Sequence, residues 1–178
     1  MIAKSHAKPL AVLVGPPGSG KTTVGEALAE RLGLPLRDTD QDVETLTGST
    51  IADLFVDRGE HYFRELESEA VRAALDSHGG VLSLGGGAIL RPETRKALGT
   101  HYVVWLDVNV RSAVKRLELN TARPLLLGNV RGRFTELDRE RRPLYAEVAS
   151  IHMDTSELSV EEVVDKLCAQ IPHAPKES

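Results

Sequence analysis

Gly15-Pro16-Pro17-Gly18-Ser19-Gly20-Lys21-Thr22 is the stretch whose reading decides the fold. It satisfies the pattern G-x-x-x-x-G-K-[ST] at every fixed position. Its surroundings agree. Leu10 to Val14 is an apolar run of strand length, and Val24, Leu28 and Leu32 recur on one face of a helix that Gly33 is placed to end. Glycines let the backbone curl until successive N–H groups aim at one anion, and the helix N-terminus adds a partial positive charge. Lys21 is then placed to bridge β- and γ-phosphates, and the Thr22 hydroxyl to bind Mg²⁺. The loop defines a phosphate site without separating kinases from GTPases or motor ATPases.

Outward from this loop, short apolar runs alternate with helical patterns. Further strands are expected at Leu34-Pro35-Leu36, Val81 to Leu84, Tyr102 to Leu106 and Ile151 to Met153. Ser49 or Thr50 is placed to cap a short helix reaching Phe55. A longer helix runs from Glu60 to Ser77 with Phe63, Leu66, Ala70 and Ala73 or Ala74 inward. Pro92 opens a helix that Gly99 ends, and Asn109 caps another. Residues 119–132 lack a period and read as a mobile loop, and a helix follows from Phe134 to Val148. Ser159 and Glu162 form a capping box for the last helix, with Val163, Val164, Leu167 and Ile171 inward. Five strands alternating with helices predict an α/β fold: a three-layer α/β/α arrangement around a five-stranded parallel sheet. Ligands of such sheets bind beyond the carboxyl ends of the strands, where both glycine-rich loops lie.

A chain of 178 residues is expected to form one domain over residues 1–178, with 1–8 and 172–178 as tails. The net charge of −4 argues against a protein that grips nucleic acid with its whole surface. Between Arg111 and Arg142, however, nine Lys or Arg face four Asp or Glu, a local positive excess. No apolar run is long enough to span a membrane, and none follows Lys4 and Lys8 to make a secretory signal. Cys168 is alone and the six histidines are scattered, so neither a disulfide nor a Cys/His metal site is expected. A cytoplasmic monomer, with no nucleic acid or membrane partner, is the expectation.

Three further features bear on chemistry. Asp38-Thr39-Asp40 follows the second expected strand. One carboxylate there suits water-mediated Mg²⁺ binding and the other suits orienting or deprotonating a hydroxyl, although the same residues also favour plain turns. Gly85-Gly86-Gly87 permits close backbone approach to a ligand, or a simple turn. Arg64, Arg123 and Arg141 suit bidentate capture of carboxylate or phosphate, while a lone helical arginine is ordinarily a surface charge. Val103-Val104-Trp105-Leu106-Asp107 offers a competing assignment. It resembles a Walker B strand, whose terminal Asp would bind magnesium in a nucleotide hydrolase.

Taken together, GPPGSGKTT, DTD, ADLF, GEHYFRELE, VLSLGGGA, TARPLL and RRPLY resemble the shikimate kinases over about residues 10–168. The resemblance implies a P-loop fold like that of the nucleoside monophosphate kinases, and transfer of the ATP γ-phosphoryl group to the 3-hydroxyl of shikimate. It implies that Gly18, Ser19, Gly20, Lys21, Thr22 and Thr23 hold ATP phosphates, with Arg116 on the adenine side. Thr22 and Asp38 would serve Mg²⁺. Asp40, Arg64, Glu67, Gly85, Gly86, Gly87 and Arg141 would hold shikimate, with Arg64 and Arg141 on its carboxylate and Glu67 orienting Arg64. Asp40, Lys21 and Arg123 would be catalytic, Arg123 from a lid at about 119–132. A substrate-binding helical region would lie at about 40–70. The family leaves Asp107 without a metal role. His152 departs from the arginine common there, and the lid aligns poorly beyond Arg123. The residues alone support an anionic polyol as phosphate acceptor. A gluconate kinase, or a nucleotide-dependent switch using the basic segment, is the alternative.

Overall fold

A computed structural model describes residues 7–119 and 129–172. Strand β1 (Ala11–Val14) leads into the glycine loop and α1 (Lys21–Leu32). Then follow β2 (Leu36–Asp38), α2 (Thr39–Thr47), α3 (Ile51–Ser77), β3 (Val81–Ser83), a 3-10 turn (Ala88–Leu90), α4 (Pro92–Leu98), β4 (Val103–Asp107), α5 (Val110–Leu119), α6 (Val130–Val148), β5 (Ile151–Asp154) and α7 (Val160–Gln170). All strand pairs are parallel, in the order β2-β3-β1-β4-β5.

The sheet has a buried centre, and alternate residues of its strands feed two cores. Ala11 and Leu13 pack with Val104 and Leu106 beneath Val24 and Leu28 of α1 and Val163 and Leu167 of α7. Val12 and Val14 pack on the other face with Leu82, Trp105, Val71 and Ala74 of α3, Leu98 of α4 and Tyr145 of α6. These two cores make the expected three layers. A satellite core of Val43, Leu54 and Phe63 joins α2 to α3 beside the sheet.

Local signals explain the boundaries. Gly33 ends α1 with φ 62°, as expected. The Ser159–Glu162 capping box is present, and Val163, Val164 and Leu167 face inward. The expected break before the long helix is real: Gly59 sits inside α3 at φ 85° and ψ 164°, outside helical geometry. An L-residue there would be strained, so Gly59 is the joint between the two halves of α3.

Two boundaries need correction, and two helices need a finer description. The second strand is Leu36–Asp38 rather than residues 34–36. It is an edge strand, only half-buried, so its residues need not be apolar. Helix α2 falls within the helical region implied at about 40–70, and it begins at Thr39, so Asp40 lies on a helix and not in a plain turn. Its N-terminus is capped by the Asp38 side chain, which accepts from Asp40 N at 2.9 Å. Helix α6 begins at Val130, not Phe134, because Asn129 Oδ1 accepts from Gly132 N at 2.9 Å and caps it. Phe63 and Ala74 of α3 are buried, and Leu66 and Ala70 pack half-buried against the satellite core, as expected. Glu67 and Val71 are buried as well, and of the pair Ala73 or Ala74 it is Ala73 that faces solvent. Arg123 and most of the 119–132 segment lie outside the described residues.

Candidate active site

Strand β1 delivers the glycine loop to the carboxyl edge of the sheet, between β3 and β4. The loop curls through φ 77° at Gly18 and 92° at Gly20 before α1 begins. Lys21 Nζ folds back to donate to Gly15 O at 2.7 Å and Pro16 O at 3.0 Å. The Ser19 Oγ is buried without a hydrogen-bond partner. Beside the loop lies a cavity of about 260 Å³ lined by Gly18, Gly20, Lys21, Thr22, Thr23 and Arg116, with Leu117. A curled loop, a helix N-terminus and a lysine around one cavity make a polyphosphate cradle.

Arg116, from α5, props this cradle. It donates to Gly18 O at 3.0 Å, to Thr155 Oγ1 at 3.1 Å and to Thr155 O at 2.8 Å. Thr155, just after β5 and 2% exposed, places its hydroxyl 3.0 Å from Ser19 O and 2.9 Å from Asp107 O. Sequence reasoning passed over Thr155. Its only sequence signal was its position directly after a strand, at the same sheet edge as the glycine loops.

A second cluster lies across β3. Gly85-Gly86-Gly87 follows that strand and is enclosed by Asp40 of α2, Arg64 and Glu67 of α3, and Arg141 and Tyr145 of α6. Arg64 Nη1 donates to Glu67 Oε2 at 2.7 Å, and the same guanidinium reaches Glu60 at 3.3 Å. A Cβ at Gly87 would collide with that guanidinium, so only glycine lets Arg64 lie over the loop. A Cβ at Gly86 would stand 3.4 Å from Gly15 O and 3.6 Å from Arg141 Nη1. The second cluster therefore abuts the phosphate cradle. Tyr145, fully buried, donates its hydroxyl to Gly86 O at 2.5 Å, with Arg141 beside it. Burial pushes the Tyr145 hydroxyl far up, so it stays a donor.

Two buried polar atoms in this cluster, Arg141 Nε and Glu67 Oε1, have no hydrogen-bond partner. Such groups are costly to leave unmatched and mark a place where a ligand's polar groups belong. Burial raises the Glu67 carboxyl from an ordinary 4.5 to about 7, against the opposing pull of Arg64. The folded chain binds this proton more tightly than the unfolded chain. The Glu67 contribution to stability is complete below pH 4.5 and is lost as the pH rises towards 7, a change of about 3 kcal/mol. Glu67→Gln should abolish that slope. Thermal melts from pH 5 to pH 8 check it, and an unchanged slope would show that Glu67 is not the titrating group.

Asp107 does not serve as a Walker B residue. Its Oδ1 and Oδ2 accept from Arg142 at 3.0 and 2.5 Å, and His152 Nε2 lies 2.7 Å from Oδ2. Both oxygens are spent inside the protein. His152 stacks on Trp105 with ring centroids 4.1 Å apart, so it belongs to this anchor. Among the described residues no group of three or more His, Cys, Asp or Glu could hold a metal unaided. No described helix is long and apolar enough to cross a membrane.

A polyphosphate cradle beside a pocket of two arginines and two carboxylates, on a parallel sheet of order 2-3-1-4-5, defines a P-loop kinase of small molecules. The family profile described as shikimate kinase matches residues 17–172. A shikimate kinase of Thermobifida fusca is 53% identical over 94% of this chain and 97% of its own. One from Streptomyces coelicolor is 56% identical over 87% of this chain and 91% of its own. The solved shikimate kinase from Acinetobacter baumannii in complex with shikimate superposes with a TM-score of 0.84 at 35% identity, over 92% of each chain. The chain belongs to the shikimate kinase family.

Proposed function

We propose that the protein transfers the γ-phosphoryl group of ATP to the 3-hydroxyl of shikimate, giving shikimate 3-phosphate and ADP. The observation that carries this reading is the pairing of Arg64 and Arg141 across Gly85–Gly87, directly against the phosphate loop. Two guanidiniums suit a carboxylate, and Asp40 suits the ring hydroxyls. The acceptor oxygen attacks the γ-phosphorus, the bond to the β–γ bridging oxygen breaks, ADP leaves, and the hydroxyl proton passes to Asp40. Loop amides at Gly18 to Thr23 and the Lys21 ammonium hold the phosphates against growing charge. Arg116 holds the loop on the nucleotide side, and Arg123, outside the described residues, is the further cation that the family resemblance offers for the transferred group. Glu67 keeps the Arg64 fork in the plane that meets the carboxylate.

Mg²⁺ fits the donors present. Thr22 lies in the first turn of α1, and Asp38 spends Oδ1 on the cap of α2, which leaves Oδ2 for a water-mediated contact. Hard oxygen donors of this kind suit a cation that keeps most of its water. When bound, Mg²⁺ neutralises and orients the phosphate oxygens. Asp38→Asn is expected to shift the Mg²⁺ concentration needed for half-maximal rate upward. Asp107→Asn is expected to leave that concentration in place, and a magnesium titration of both variants would expose the reverse ordering.

The proposal describes one kinase domain, a monomer, working in the cytoplasm on two small molecules. A coupled ADP-release assay tests the reaction. A shikimate-dependent rate is expected, and no rate above the ATPase background would overturn the reading.

A further inference from the structure

We propose that Asp107 is a positioning residue for the acid substrate: its carboxylate grips Arg142 and thereby sets the direction in which the adjacent Arg141 enters the substrate pocket. The inference rests on the reading that Arg141 binds the substrate carboxylate.

The geometry is that of a clamp. Asp107 ends β4 and is 5% exposed. Its carboxylate meets both terminal nitrogens of Arg142, a planar two-point contact that fixes orientation as well as distance. Val108 N donates to Oδ1 at 2.8 Å, and His152 holds Oδ2. The carboxylate therefore cannot swing. The Arg142 guanidinium also lies 5.0 Å from the centre of the Trp105 ring, on the same strand.

Helix α6 needs such a clamp at this turn. Pro143 lies inside it. Proline supplies no N–H to the carbonyl four residues back, Arg139, and its ring crowds that carbonyl. The backbone ladder is weakest exactly where the functional arginine sits. Successive helical residues point about 100° apart, so fixing Arg142 on β4 fixes Arg141 a quarter-turn round, facing Gly86. The main chain of Asp107 is tied to the other half of the site as well. Its carbonyl accepts from Thr155 N at 2.9 Å, and the Thr155 hydroxyl reaches Ser19 O in the phosphate loop. One residue thus holds the acid-binding helix in register with the phosphate cradle, while its own side chain faces neither substrate.

Steady-state kinetics on Asp107→Asn, Arg142→Gln and the double variant test this, with Arg141→Ala alongside. Arg142 has a side chain 45% exposed, so its variant is expected to fold even where Asp107→Asn does not. Each single variant should raise the KM for shikimate by about tenfold, with kcat and the KM for ATP changed less than about threefold. The double variant should be no worse than the worse single, because both break one contact. A purely architectural pair would lower the melting temperature and leave the KM for shikimate alone. That outcome overturns the proposal, as do effects that multiply in the double variant or fall equally on ATP. If Arg141→Ala raises the KM but Arg142→Gln does not, the anchoring is wrong and the acid site stands. If Arg141→Ala leaves it unchanged, the acid-site reading itself fails.

Discussion

Asp40→Asn is expected to lower turnover by about 10²–10⁴-fold, the span usual for a lost general base. Asparagine keeps the shape and the hydrogen-bonding reach of the side chain but cannot accept the acceptor's proton. Position 40 lies in the first turn of α2, whose backbone is held by the Asp38 cap. That cap uses the Asp40 N–H, not its side chain, so the helix should survive the change. The phosphate cradle is built from β1 and α1 and does not include residue 40. Nucleotide affinity, read by titration calorimetry, should therefore change less than about twofold. Near-normal turnover would refute the role of Asp40. Loss of nucleotide binding in parallel would show instead that the variant had disturbed the sheet edge.

Arg64→Ala should act on the other substrate constant. The Arg64 side chain is 12% exposed and meets Glu67 at 2.7 Å. Truncating one member of a buried, hydrogen-bonded charge pair usually costs about 2–5 kcal/mol, much of it from the partner left behind. Here the partner has an escape. Glu67 already titrates at about 7 through burial, and without Arg64 it would hold its proton still more firmly and sit neutral. The fold is thus relieved of a lone buried charge, while on the proposed reading the substrate carboxylate loses one of its two guanidiniums. The KM for shikimate is expected to rise by about 30-fold or more, with a smaller change in kcat. Arg64→Lys should rescue little of this, because an ammonium cannot reproduce the planar fork. An unchanged KM would place the carboxylate elsewhere.

How far the sequence foretold this arrangement depended on whether a residue's neighbours were local. The phosphate loop, Gly33 and the Ser159–Glu162 box were legible because each works within a few residues of itself. Helix α2 was legible only through the helical region that the family resemblance implied. Thr39 to Asp42 is polar, and its one fully buried apolar side chain, Val43, is matched by Leu54 and Phe63 of the next helix. A helix that packs so largely on its neighbour shows little apolar period of its own. The burial of Glu67 in α3 was not legible from its pattern, because a carboxylate in a core position depends on the facing Arg64. Asp40, Arg64 and Arg141 stood out by residue type and place, Glu67 only through the family's motifs, and the structure brings those four together at one loop. Asp107 was legible as a strand-end carboxylate, but its partners Arg142 and His152 lie 35 and 45 residues away. Spacing within one strand cannot distinguish a metal ligand from a clamp of that reach.

The strand order has a consequence for anyone designing ligands. Strand β1 is the middle of five, the acid pocket hangs from the β2 and β3 side, and the nucleotide cradle leans on α5 and the segment after β5. A molecule spanning both halves must cross the end of one strand, with the Gly86 loop as its floor. Gly86 lies against Gly15 of the phosphate loop, so the path between the halves is short. A compact anionic ring joined through a short charged bridge to a nucleotide-like tail matches that path, whereas a long flexible tether would have to loop out into solvent and forfeit the gain from joining the two ends.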